Sequence, residues 1–175
     1  MANDKLDAYD IRILALLQKN GRIKKVDLAA QVGLSLSSCW DRLRNLEEAG
    51  YIREYRAEIN LARLVKTELI IATMTLEHHT KRDFARFEKA VLAIPEVVTC
   101  YAVGGGIDYV LHIVAHDIEH YQQLIDRMLD LEIGISVYFT YVVTKTVKRF
   151  EGLPIAELLD YPVPEVRQTR RVQAN

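Results

Sequence analysis

The apolar residues of this chain repeat at one spacing up to about residue 50 and at another from Glu68 onward, and that single change restricts the fold more than any other feature. Before it, hydrophobic positions recur every three or four residues, the spacing of one face of a helix. After it, stretches rich in β-branched and aromatic residues alternate with helical stretches. A chain of this kind needs two differently built units: helices packed on helices, then helices packed on a sheet.

The first stretch, "LDAYDIRILALLQKNG", begins with Asp7 in a capping position and Asp10 three residues on. Leu6 and Ile11 take the staple positions around that cap. Ile13, Leu14 and Leu17 give the apolar stripe, and Gly21 is the expected stop. "RIKKVDLAAQVG" follows, with Leu28, Ala29 and Val32 on one face and Gly33 at its end. A Gly33-Leu34-Ser35 corner then leads into a third helix with Cys39, Leu43 and Leu46 inward, closed by Gly50. Three short helices with a tight glycine turn before the third make a helix-turn-helix. "YIREYRAEIN" alternates enough to be a wing or a connecting strand.

From Glu68, "ELIIATMTLE" reads as a strand. Thr80 starts a helix with Phe84, Phe87, Val91 and Leu92 on one side, ended by Pro95. "VVTCYAVGGG" and "DYVLHIVAH" form a near-hairpin across a glycine turn. Asp117 caps a helix carrying Ile118, Tyr121, Leu124, Ile125 and Met128, and a long strand follows from Ile135 to Arg149. The order βαββαβ is the ferredoxin-like plan, one antiparallel sheet with both helices on one face. The fold class is therefore α+β: a winged helix-turn-helix at residues 1–60, a linker at 61–67, a ferredoxin-like ligand-binding and oligomerisation domain at 68–160, and a loose tail at 161–175. The second face of the sheet, to which Ile70, Met74 and Leu76 or their alternates contribute, is too apolar to leave wet, so a partner subunit is expected to cover it.

Charge is close to balanced, at −1 overall, so no global basic field points to nucleic acid. Its distribution is uneven: residues 1–64 hold 11 Lys/Arg against 9 Asp/Glu, and residues 65–150 hold 9 against 11. A mildly basic head on an acidic body results. Cys39 and Cys100 form no C-x-x-C pair, both fall at positions read as buried, and "MANDKLDAYD" has no apolar leader, so a soluble cytoplasmic protein is expected.

Three stretches also carry a likeness: "LDAYDIRILALLQKNGR", "LAAQVGLSLSSCWDRLRNLEEAGYIREYRAEIN" and "GGGIDYVLHI". Through them the chain resembles the Lrp/AsnC (leucine-responsive/asparagine regulator) family of bacterial and archaeal transcription factors over about residues 5–160. The resemblance implies operator binding as a homodimer or dimer-based tetramer or octamer, with double-stranded DNA as partner. It also implies modulation by an amino acid, or a derivative of one, held in the C-terminal domain. Three positions depart from the family's usual pattern: Lys24 stands where Ser or Thr caps the second helix, Leu36 where proline is common, and Gly104–Gly106 is barer than usual.

On the third helix, Ser37, Ser38, Asp41, Arg44 and Asn45 point broadly outward, with Trp40 and Arg42 on the flanks and Ser35 at the cap. Serines at a helix N-terminus bond phosphate oxygens, and Arg and Asn bond base edges bidentately. A solvated helix face would look the same in isolation; the Gly-Leu-Ser corner and the resemblance favour DNA contact by these eight residues. Arg42 has two further options, a phosphate or an internal pair with Glu47 or Asp41. The turn Gly104, Gly105, Gly106, Ile107, Asp108 and Tyr109 is the candidate effector site, with Ser136 and Tyr138 as possible walls. Bare backbone N–H groups there suit a carboxylate, and Asp108 suits an ammonium.

The five histidines (His78, His79, His112, His116 and His120) lack metal-ligand spacing, so no metal and no cofactor are expected. No nucleophile, phosphate-loop or paired-carboxylate motif is present, and the chain is expected not to be an enzyme. The alternative is an enzyme similar to the siroheme decarboxylases, which share the two-domain plan but tend to have a degraded DNA-reading helix.

Overall fold

The computed structural model describes residues 6–159. They divide into two units: the residues up to Glu58 together with those from Arg149, and Ile59–Lys148.

In the first unit, α1 (Ala8–Leu17) starts at a complete capping box. Asp7 Oδ1 accepts the N–H groups of Tyr9 (2.8 Å) and Asp10 (3.0 Å), and Asp10 Oδ2 accepts that of Asp7 at 3.1 Å. Four N–H groups at a helix start lack helical partners, and this box satisfies three backbone donors with two side chains. α2 (Lys25–Val32) has no side-chain cap at Lys24 but ends in a left-handed Gly33, φ 80°. That conformation is cheap only without a Cβ, which is why the corner is built on glycine. α3 (Leu36–Glu48) follows, and Ile13, Leu28, Val32, Cys39, Leu43 and Leu46 form the shared core.

Two expectations fail here. α1 ends at Leu17 with Gln18 as its cap, so Gly21 is not the stop. Residues 51–60 are extended without any ladder: alternation supplies the side chains of a strand, but a strand also needs a neighbouring backbone, and none is paired with it among the described residues. The C-terminal return packs with this unit from Arg149. Gln18 Nε2 donates to Leu153 O at 2.7 Å and Leu153 N–H donates to Gln18 Oε1 at 2.8 Å, followed by a short α6 (Ile155–Leu158). The expected loose tail at 161–175 lies outside the described residues.

The second unit opens with a 3₁₀ turn at Leu61–Arg63, inside the expected linker. It continues through β1 (Glu68–Leu76), α4 (Lys81–Val91), β2 (Val97–Ala102), β3 (Tyr109–Ala115), α5 (Ile118–Asp130) and β4 (Ile135–Val142). The strands form one antiparallel sheet in the order β2-β3-β1-β4. Ile70, Met74, Leu111 and Ile113 face the helices and bury against Phe87, Leu124, Ile125 and Met128.

The opposite face stays bare, and it is built from the alternates rather than from Ile70, Met74 and Leu76. Leu69, Ile71 and Thr73 of β1 lie in register with Val114, His112 and Val110 of β3, and Ile71 and Thr73 with Tyr141 and Phe139 of β4. Phe139 and Tyr141 are 56% and 55% exposed. A register shift at Thr75/Leu76 sends Ile135 inward while Val137, Phe139 and Tyr141 go outward, as a bulge does to a period-two pattern. Leu92 and Ile118, expected inward, are exposed. Leu92 lies past the last turn of α4, and Ile118 is the first residue of α5, ahead of the stretch that meets the sheet.

Among the described residues no helix is long and apolar enough to cross a membrane. Cys39 is buried and Cys100 only half-buried. Burial raises both thiols above their ordinary range, helped at Cys100 by Glu88, which disfavours the reactive thiolate.

Candidate functional site

Two places gather the residues singled out by the sequence. The first is α3. Ser35 Oγ accepts the N–H of Ser38 at 3.2 Å and lies 3.2 Å from Ser37 Oγ, so the helix start is fixed by its own hydroxyls. With Cys39, Leu43 and Leu46 buried, Ser37, Trp40, Asp41, Arg44 and Asn45 are exposed along the outer side. Arg44 Nε is 3.2 Å from Glu48 Oε1, with both side chains more than half exposed, a pair weak enough to open for another partner. Lys25 Nζ lies 2.9 Å from the centroid of the Trp40 ring, holding the indole against the start of α2.

Arg42 is placed differently. Its Nη1 lies 2.7 Å from Asp7 Oδ2 and 2.9 Å from Asp10 Oδ1, and its guanidinium stands over Tyr9. The side chain therefore ties α3 to the capping box of α1, and neither Glu47 nor Asp41 is its partner. Burial alone would raise the Asp7 carboxyl, but the Asp10 backbone N–H, Arg42 and the Tyr9 N–H together hold it below the usual carboxylate range. Sequence reasoning found the arginine but not the partners, because a contact across 32 positions has no local signal.

The second place is the β2–β3 turn. A Cβ added at Gly104, Gly105 or Gly106 would meet nothing within 4 Å, so all three face open space. Gly105, at φ 139°, is the one whose conformation disfavours a side chain. The side chains of Asp108 and Tyr109 already have partners. Asp108 Oδ2 accepts the Leu76 N–H at 2.8 Å and lies 3.0 Å from His79 Nε2. The ammonium partner expected from sequence is thus already engaged.

Tyr109 is buried, its ring 4.3 Å from that of Phe87, and its hydroxyl donates to Glu88 Oε1 at 2.9 Å. Burial first and Glu88 second raise this phenol well above its ordinary range, so Tyr109 is a core residue rather than a wall of the turn. Tyr138 is half-buried against the same core, while Ser136 at the bulge is exposed. Ile107 is half-buried between the glycines and Asp108. His79 and Lys25 are the two contributors the sequence did not single out. Among the described residues no three His, Cys, Asp or Glu side chains are arranged to hold a metal ion.

Comparison with known proteins identifies the family of both parts of the chain. A model of the Lrp/AsnC ligand-binding domain matches residues 69–153, and a winged helix-turn-helix DNA-binding model matches residues 6–53. The chain is 50% identical over 145 residues to the transcriptional regulatory protein DoeX of Halomonas elongata, covering 83% of this chain and 92% of that one. It is 38% identical over 147 residues to the leucine-responsive regulatory protein of Haemophilus influenzae, covering 84% and 89%. A transcriptional regulator of Neisseria meningitidis, solved as a complex with L-Met, aligns with a TM-score of 0.82 at 31% identity, covering 87% of this chain and 99% of that one. An AsnC family regulator of Agrobacterium tumefaciens gives the same score and coverage at 30% identity.

Proposed function

The chain belongs to the Lrp/AsnC family of transcriptional regulators, and from that premise we propose that α3 reads duplex DNA while the β2–β3 turn seats an amino acid or a close derivative. The observation that carries the DNA half is the capped α3 with its outer row of Ser37, Trp40, Asp41, Arg44 and Asn45, set behind a left-handed Gly33. Ser35, Ser37 and Ser38 are suited to phosphate, Arg44 and Asn45 to base edges. Arg42 acts by fixing α3 on α1, and Trp40 by the position Lys25 gives it.

The bare sheet face supports a homodimer, the unit from which tetramers or octamers of the family kind would be built. A dimer also brings two copies of α3 together, and paired domains multiply affinity without new contacts. The glycine turn has an open side in a single chain, so its remaining wall comes from another subunit. Regulation rather than catalysis is the activity this arrangement serves.

A thermal-shift panel of the twenty L-amino acids, L-methionine among them, tests the effector half. Gly106 has open space beside it and no left-handed φ, so Gly106→Val fills the turn without straining it. Stabilisation of the parent that disappears in Gly106→Val supports the site. Equal stabilisation of both places the ligand elsewhere.

A further inference from the structure

Resting on the reading of the glycine turn as an amino-acid site, we propose that His79 occupies the ammonium seat of that site, and that an effector binds by displacing the imidazole from Asp108. Asp108 carries two contacts of different kinds on one oxygen. The Leu76 N–H, 2.8 Å away, belongs to the last residue of β1 and stays with the sheet. His79 Nε2, 3.0 Å away, belongs to a loop side chain that is 56% exposed, whereas the carboxylate it covers is only 17% exposed.

The imidazole is the replaceable lid on a half-buried acid. An ammonium brings three N–H donors to the same acceptor. Exposed pairs of this type are weak, so displacement costs an effector a factor of about three and does not block it.

The groups around His79 are consistent with that role. Phe84 of α4 packs against its ring at 5.9 Å between centroids. Asp83, in the first turn of α4, is occupied by the Thr80 hydroxyl and by Arg86. His78 is its neighbour in the chain. The facing acid is therefore Asp108. A protonated His79 would hold the Asp108 carboxylate as an ion pair rather than through a neutral imidazole, a stronger competitor, so effector affinity should be lower at pH 5.5 than at pH 8. The ammonium and carboxylate of an amino acid keep their charges over that range, which leaves the change to the protein.

Calorimetric titration with L-methionine, or with whichever L-amino acid gives the largest thermal shift, tests this on the full chain at pH 8 and pH 5.5. The parent should bind more weakly at pH 5.5 than at pH 8, by up to about threefold. His79→Ala should bind about threefold more tightly than the parent at pH 5.5 and lose the pH dependence. His79→Gln keeps a neutral donor and should also lose it, and His78→Ala should retain it. Weaker binding by His79→Ala, or a pH dependence that survives in it, overturns the displacement model, the first result making His79 a contact of the effector instead. If no amino acid binds any variant, the amino-acid site itself falls, a result distinct from binding that ignores His79.

Discussion

The outer face of α3 and the glycine turn are constructed in opposite ways. α3 is a rigid helix whose start is fixed by Ser35, and its exposed side chains stand in one row on a single chain. The turn has three glycines facing nothing, while the side chains that sequence would assign to it turn inward, Asp108 to Leu76 and His79, Tyr109 to Phe87. In the proposed reading, one surface is complete in a single chain and the other is half of a site. A helix-borne surface needs a second copy only for affinity, whereas a loop-borne one needs it for a wall.

The largest expected effect tests that dependence. Phe139→Asp puts a charge on the bare sheet face, on its edge strand β4, and should weaken self-association by at least 100-fold, about 3 kcal/mol. Light scattering at micromolar concentration would show monomers, and effector stabilisation should vanish with the assembly while α3 stays folded. A monomeric parent, or effector binding that survives in a monomeric variant, would break the contrast between the two sites.

Next in size is Arg44→Ala. Loss of a bidentate base contact should weaken operator binding by about 1–3 kcal/mol without changing assembly. Anisotropy titrations on DNA fragments retained by the parent protein measure it, at fixed salt because phosphate contacts make all such affinities salt-dependent.

Arg42→Ala should act on stability instead. Arg42 serves two carboxylates, one of them only 16% exposed, so the loss should reach about 1–2 kcal/mol, above a simple surface pair. The pH sign follows from Asp7, whose folded carboxyl is held below its ordinary value. The stabilisation it gives is complete above about pH 4 and is lost as pH falls below that. Thermal unfolding between pH 7 and pH 3 should show a shallower acid loss in Arg42→Ala than in the parent.

The smallest effect is that of Lys25→Ala. Trp40 is the sole tryptophan of the chain, so its emission reports the Lys25 contact directly. The emission should shift, with a change of about 0.5 kcal/mol in operator affinity. Unchanged emission would mean that Lys25 does not hold the ring.

Helix starts were legible in the sequence because capping is local: Asp7, Ser35, Thr80 and Asp117 each bond a backbone N–H within three residues. The βαββαβ order was legible because period two and period 3.6 differ plainly over a dozen residues. Which sheet face is covered was not, since Ile70 and Ile71 look alike until the bulge at Thr75/Leu76 and the helices decide. Contacts spanning tens of residues, Arg42 with Asp7 and His79 with Asp108, were invisible for the same reason. Tyr109 was misplaced because it adjoins a functional-looking glycine run, yet its side chain follows the strand into the core.

Methylation protection of guanine N7 on a retained genomic fragment tests most directly the claim that α3 reads the major groove. The expected pattern is two protected patches on one face of the duplex, centred about 10–10.5 base pairs apart or a multiple of that, and both fading with Arg44→Ala at a concentration that saturates the parent. A single patch, no protection at guanine N7, or patches unaffected by Arg44→Ala would contradict it.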